Sequence, residues 1–393
     1  MKRKIILTLI MSAILLTACN KEVQSVQTEQ DVSTAAETSA VTETSETEQT
    51  AEASETLPLR ITISEHEYNT DIKMINLPSF TGGSYTNEDM EKLTLFENLT
   101  ELRIFSPSED IDLSLLNNLE NIETLSFSEI ADISAVRNKN VKELLFYDSD
   151  IEDLSYIFEN LPNLKSLKFI NCDLENLSFG GNPASLASLS FDNCNLSDTN
   201  FFNAFQNLKT LVFWYTSISD TGFLAELKNL KTLCMSYADI KNAEIATSLA
   251  DLENLTLSGN PLEDVSYLSA LKNLTELNIS DCNIESIDFI SDMKSLKGFG
   301  ANNNSISDIS SISNLDNLEN LSLAENDIEN IDVIAELKNI EYCNISGNKI
   351  RDISVLGNSN TLKKVNPYGN LFSDEDLAEF AENNTEIKIV CGE

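Results

Sequence analysis

The chain is expected to fold as a β-dominated α/β solenoid, a stack of coils rather than a globule around one centre. Three observations predict this. An apolar residue recurs every 22 positions over most of the chain, apolar and polar residues alternate just after it, and a small or polar residue returns at one further fixed offset. Such a period marks units that bury their apolar faces only against their neighbours.

The phase runs through Leu164, Leu186, Leu208, Leu230, Leu252, Leu274, Leu296, Leu318, Ile340 and Leu362. Upstream, Val141, Ile122 and Leu99 continue it at intervals of 23, 19 and 23 residues. With each taken as position 0, position +3 holds residues such as Leu102, Leu189, Phe299 and Val365, and position +5 holds Ile104, Met235, Leu257 and Ala301. An alternation of period two is that of a strand, so +3 and +5 face inward. Five successive phenylalanines at +5 (Phe127, Phe146, Phe169, Phe191 and Phe213) should stack side by side. Pro367 at +5 of the last coil cannot donate to a ladder and suits an end strand.

Position +8 carries Asn260, Asn304, Asn326, Asn348 and Asn370, and elsewhere Cys172, Cys194, Cys282 or Thr216. A buried side chain at a turn must donate to backbone carbonyls of its own and adjacent coils. Asn does this best, while Cys and Thr fill the same volume with fewer or weaker donors. The match weakens at Pro107, Ile130 and Ser149, so register is least secure in the first three coils.

The run Leu252-Glu253-Asn254-Leu255-Thr256-Leu257-Ser258-Gly259-Asn260 resembles a leucine-rich repeat. Ile306-Ser307-Asp308-Ile309-Ser310 and Ile350-Arg351-Asp352-Ile353-Ser354 are similar to the short 22-residue class of the internalins. The resemblance implies a right-handed arc with a parallel sheet on its concave face and short 3-10 or extended segments on its convex face. About thirteen strands at ~4.8 Å spacing would make a sheet roughly 60 Å long. It also implies an interaction role of the adhesin type.

The ends of the stack need caps. Residues 58–98 are expected to supply the first, with strands at Arg60–Ser64 and Lys73–Leu77 and a short helix over Thr86–Leu93. Residues 373–393 supply the second, with a helix over Ser373–Asn383 capped by Ser373 and a last strand at Glu386–Cys391. The solenoid itself spans 99–372.

Ahead of the body, Met1–Cys19 has a basic start (Lys2, Arg3, Lys4), an apolar run from Ile5 to Leu16, and Leu16-Thr17-Ala18-Cys19. This resembles the signal peptide and lipobox of bacterial lipoproteins. The resemblance implies diacylglycerol on Cys19, and hence a body held on the extracytoplasmic face of a bacterial cell membrane. Residues 20–57 are rich in Ser, Thr and Glu, without aromatics or glycine, and are expected to form a disordered acidic tether spanning roughly 35 Å.

Charge and composition exclude whole classes of function. Sixty-four acidic against 26 basic residues leave a net charge of −38, which argues against nucleic acid and anionic lipid as partners. The one histidine, His66, leaves little room for imidazole chemistry. No phosphate loop, nucleophile elbow or Cys–His cluster occurs, so no catalytic residue, metal or cofactor is expected and the chain is read as a non-enzyme. Of the seven cysteines, Cys172 and Cys194 would lie about 5 Å apart in adjacent coils, but the repeat's own period accounts for both as free thiols. Cys234 at +4 is expected to face solvent, and Cys391 to be exposed at the end.

Positions +2, +4 and +6 point away from the core, and +7 ends the strand. Most such residues are small or polar. Departures are Leu145 and Tyr147, Ile170, Val212, Trp214 and Tyr215, and Tyr237, with Lys168 and Asp192 among them. Trp214 is the only tryptophan. On this register they form one patch across five strands, about 20 Å wide. Contiguous exposed aromatics favour a protein partner, whereas rings flanked by Asn and Asp also suit a glycan. The alternative is an envelope spacer without a specific ligand. Tyr368 lies farther along the arc.

Overall fold

The computed structural model describes residues 60–63, 66–77 and 85–391. Cys19, the lipobox and the expected tether lie outside the described residues. In chain order the strands are β1 Arg60–Ile63, β2 His66–Asn69, β3 Met74–Leu77, β4 Glu101–Phe105, β5 Thr124–Ser128, β6 Glu143–Tyr147, β7 Asp153–Leu154, β8 Ser166–Ile170, β9 Ser178–Phe179, β10 Ser188–Asp192, β11 Thr210–Trp214 and β12 Thr232–Ser236. They continue as β13 Asn254–Thr256, β14 Glu276–Asn278, β15 Gly298–Gly300, β16 Asn320–Ser322, β17 Tyr342–Asn344, β18 Lys364–Asn366 and β19 Lys388–Ile389. Helices are short: α1 Asn87–Lys92, α2 Ile157–Asn160, α3 Asp332–Glu336 and α4 Asp374–Asn383.

One parallel sheet of fifteen strands runs from β3 to β19, every neighbour being the next coil. The expectation of about thirteen is corrected. β3 and β19 belong to the capping segments yet extend the same sheet, because Ile75 pairs with Leu102 and Ile389 with Val365 in the repeat's own register. Pairing is one coil to the next throughout: Leu189 meets Leu167 and Leu211, and Phe191 meets Phe169 and Phe213. The three first coils hold this register without slip, Phe127 pairing with both Ile104 and Phe146.

The core is a single column between sheet and outer segments. All five phenylalanines at +5 are fully buried. Phe146, Phe169, Phe191 and Phe213 stack at 5.4, 5.4 and 5.5 Å with interplanar angles of at most 13°. Ring separation is thus close to the ~4.8 Å strand spacing, which is why one ring type fits repeatedly.

Outer segments are mostly single 3-10 turns, such as Ser266–Ala270 and Ser310–Asn314. In several coils an Asp two residues ahead of a turn residue takes its backbone N–H: Asp264 accepts from Ser266 at 2.8 Å, Asp308 from Ser310 at 2.8 Å and Asp352 from Ser354 at 2.8 Å. These bonds hold the three carboxyls below their usual pKa. The outer face departs from pure 3-10 and extended structure at α2 and α3, and β7 pairs with β9 as a separate two-stranded ladder.

At the N-terminal end, β1 and β2 form an antiparallel hairpin apart from the main sheet. Strand β2 was not expected, since His-Glu-Tyr-Asn shows no apolar alternation. Its Tyr68 packs edge-on to Phe96 at 6.4 Å. Helices α1 and α4 both begin with capping boxes, Thr86 with Asp89 and Ser373 with Asp376.

Candidate recognition surface

Each strand delivers +4 and +6 to the open face of the sheet, so register decides which residues meet. Along the +6 row, Tyr147, Ile170, Asp192 and Trp214 are successive cross-strand partners. Along +4, Leu145 pairs with Lys168, and Val212 follows after Ser190. All of these but Ser190 are half-buried. The structure therefore brings Leu145, Tyr147, Lys168, Ile170, Asp192, Val212 and Trp214 into one patch. Tyr215 and Tyr237 adjoin it at +7, on the rim.

Position +7 has a backbone property that periodicity alone does not display. All of Ser106, Glu129, Asp148, Asn171, Asn193, Tyr215, Tyr237, Gly259, Asp281, Asn303, Glu325, Gly347 and Gly369 have positive φ, from 42° to 76°. The chain leaves the sheet here while swinging +8 inward, which requires a left-handed residue. Gly, Asn and Asp adopt that conformation at least cost, whereas a bulky side chain there costs ~1–2 kcal/mol. Tyr215 and Tyr237 are the only aromatics in the column.

What offsets that cost is stacking. Tyr215 lies on Tyr237 at 4.6 Å and 11°, and against Trp214 at 5.9 Å and 26°. The next rim residue is Gly259, where an added Cβ would meet the Tyr237 ring at 2.2 Å, so the ring lies directly over its backbone. The Tyr237 hydroxyl donates to Asp281 at 3.4 Å. Burial and nearby carboxylates raise the Tyr215 and Tyr237 phenols above their ordinary pKa. Tyr215 remains 50% exposed. The result is a ribbon of rings whose faces are largely taken by one another and by Gly259, leaving edges and the Tyr215 hydroxyl outward.

Asp192 sits between Ile170 and Trp214, and burial raises its pKa, partly countered by Lys168. Cys234 is a correction: it is 6% exposed rather than solvent-facing. It pairs with Val212, and Ser236 beside it pairs with Trp214, so the small side chains of β12 are shaded by larger neighbours on β11. Cys391 is exposed, and all six described cysteines are free thiols.

The inward +8 column does what its chemistry permits. Asn326 donates to Ala301 O at 2.9 Å and Leu323 O at 3.1 Å, and accepts from Ile306 N at 3.0 Å, joining two coils. Asn260, Asn304, Asn348 and Asn370 repeat the pattern. Cys172 reaches Phe146 O only at 3.6 Å, Cys194 reaches Asp192 O at 3.4 Å and Cys282 reaches Leu257 O at 3.2 Å. Thr216 donates to Trp214 O at 3.2 Å and accepts from Cys194 N at 3.1 Å. Ser149, where the motif weakens, still donates to Tyr147 O at 2.7 Å and accepts from Ile130 N at 3.2 Å.

A second asparagine column lies one residue before position 0 and was overlooked. Asn121, Asn140, Asn163, Asn207, Asn229, Asn273, Asn317 and Asn339 each donate to a carbonyl of the preceding coil at 2.7–3.0 Å. The same 22-residue period exposes it once polar positions are tracked as carefully as apolar ones.

A family model for the BspA-type leucine-rich repeat region matches residues 139–263, and one for leucine-rich repeats matches residues 250–292. No curated protein matches the chain. Among solved structures, an internalin (inlF) of Listeria monocytogenes is similar with a TM-score of 0.56 and 27% identity, covering 74% of this chain and 91% of that one. A leucine-rich-repeat protein of Leptospira interrogans aligns with a TM-score of 0.51 and 17% identity, covering 81% of this chain and 93% of that one, and shares the fold. The chain folds as a leucine-rich-repeat solenoid similar to that of the internalin.

Proposed function

We propose that this is a lipid-anchored extracytoplasmic protein of a bacterial surface, and that its concave face binds a protein partner without catalysing a reaction. The observation that carries the reading is the pair Tyr215 and Tyr237, two large side chains kept at left-handed positions that Gly, Asn or Asp fill in most other coils. Backbone strain held at a surface patch is a mark of function. Contiguity of that pair with Trp214, Ile170, Tyr147 and Leu145 supplies a broad, partly apolar surface with Lys168 and Asp192 to orient a partner.

A protein suits the ribbon better than a glycan. Sugars stack on ring faces, and the faces of Tyr215 and Tyr237 are engaged. Ring edges and the Tyr215 hydroxyl remain for packing and hydrogen bonds with a protein surface. The membrane attachment rests on the pattern of Met1–Cys19.

The test is capture of surface proteins by the full chain, read by mass spectrometry and by Trp214 fluorescence. The double variant Trp214→Ala, Tyr215→Asn keeps a residue that tolerates positive φ and is expected to weaken capture at least about tenfold. Cys19→Ala should release the protein from the membrane fraction into the medium. Undiminished capture by the double variant would sink the concave reading, and retention of Cys19→Ala in the membrane would sink the anchor.

A further inference from the structure

The second half of the concave face holds a feature unlike any other coil. Strand β15 reads Gly298-Phe299-Gly300, so both of its outward positions lack a side chain. Among the described strands of the long sheet no other has glycine at both +2 and +4. Two glycines in a strand weaken it and mark a close approach. Register places Glu276 and Asn278 on one side of this notch and Asn320 and Ser322 on the other.

Glu276 occupies the notch. A Cβ added at Gly298 would lie 1.8 Å from its Oε2, so the carboxyl rests on the Gly298 backbone. Among the described residues it forms no hydrogen bond and no ion pair. The positive group whose charge acts on it, Lys297, is 3.1 Å from Glu319 and paired there. On the other side Glu276 pairs with Asn254, which is neutral. A half-buried carboxylate without a donor is costly to keep ionised. Burial, with Glu319 adding repulsion and Lys297 opposing, pushes its pKa up to about 7.

We propose that the notch at Gly298 and Gly300 is a second seat on the concave face, in which Glu276 receives a lysine or arginine side chain of the protein partner. This rests on the reading of that face as a recognition surface. The missing ligand of the carboxylate is a cationic donor, which would approach from the open face over half-buried Glu276, the glycines beneath it being covered. A chain of net charge −38 also selects for a basic partner. Strand β15 lies four strands from β11, which carries Trp214, so one partner domain can span both seats at about 20 Å.

Cation binding favours the ionised carboxyl, so it lowers the Glu276 titration midpoint, and binding strengthens as pH rises through that midpoint. The test is a carbon-13 NMR titration of the glutamate carboxyls of the full chain in detergent, with the Glu276 signal assigned by its loss in Glu276→Gln. The probes are N-acetyl-arginine amide and N-acetyl-lysine amide, compared with N-acetyl-glutamine amide and with potassium chloride at equal ionic strength. The expected result is a midpoint near neutrality that either cation lowers by roughly half a unit and neither control lowers as far. In Gly298→Ala the carboxyl is displaced, so its midpoint should fall toward the ordinary glutamate value and the probe shift should shrink. Independently, probe-induced shifts of the Gly298 and Gly300 amides should vanish in Glu276→Gln.

A midpoint that potassium chloride moves as far as the cations do, or glycine amide shifts that survive Glu276→Gln, would overturn the proposal. Neither readout passes through Trp214. Failure here therefore leaves the aromatic patch standing, and failure of capture by the aromatic patch leaves these titrations interpretable.

Discussion

Coils from β4 to β12 and coils from β13 to β18 share one register and differ in what ties one coil to the next. In the first group the strands are five residues long, in the second three. The first group carries phenylalanine at +5 in five of its seven coils and Pro107, Ile130, Ser149, Cys172, Cys194, Thr216 or Ala238 at +8, weak or absent donors. The second carries Leu257, Ile279, Ala301, Leu323 and Ile345 at +5, with Asn in most +8 slots. Where the hinge is an amide, it takes the +5 carbonyl of its own and the preceding coil, and the strand ends before that residue. In the first group pairing runs on to +6, whereas in the second the thiol hinge Cys282 sits behind a strand as short as those of the amide hinges. The solenoid is thus held by ring packing in one half and by side-chain hydrogen bonds in the other. The contiguous ribbon of Trp214, Tyr215 and Tyr237 lies on the half with the aromatic core, and exposed Tyr368 stands apart on the other.

The largest expected effect breaks the first half. Phe191 is fully buried and contacts Phe169, Phe202 and Phe213 at 5.4–5.9 Å. Phe191→Ala should cost about 4 kcal/mol in urea unfolding, and a loss below about 1 kcal/mol would mean that stacking does not hold this half. The second half should break through its hinge. Asn326→Ala leaves Ile306 N without its acceptor, while Ala301 O keeps Asn304 and Leu323 O keeps Asn348 as donors. It should cost about 2–3 kcal/mol and speed hydrogen exchange at Ile306. The smallest effect sharpens the contrast. Cys282 sits between the amide hinges Asn260 and Asn304 with only a thiol to donate. Cys282→Asn should stabilise by about 1 kcal/mol, measured as a higher urea midpoint, and a destabilisation would show that the slot is shaped for sulfur.

The 22-residue spacing made positions 0, +3, +5 and +8 readable because every coil repeats the same local demand. The same register placed Trp214 beside Asp192 and Ile170 without any coordinates. What it did not convey depends on neighbours. Cys234 is covered because Val212 and Trp214 on the next strand are larger, not because of its own position. Strands β3 and β19 escaped the count because the first lies outside the period and the second pairs over only two residues. The stack of Tyr215 on Tyr237 and the resting place of Glu276 are set by side-chain conformation, which spacing does not encode.

The row of left-handed residues along the rim has a consequence for descent. Each sits outside the apolar column, so exchanging one alters an outward group and at most its rim neighbours, as at Gly259 beneath the Tyr237 ring, while the column is inherited intact. A lineage built on this plan can therefore retune what it grips one substitution at a time, with Gly, Asn and Asp as the neutral settings and an occasional Tyr as a new tooth.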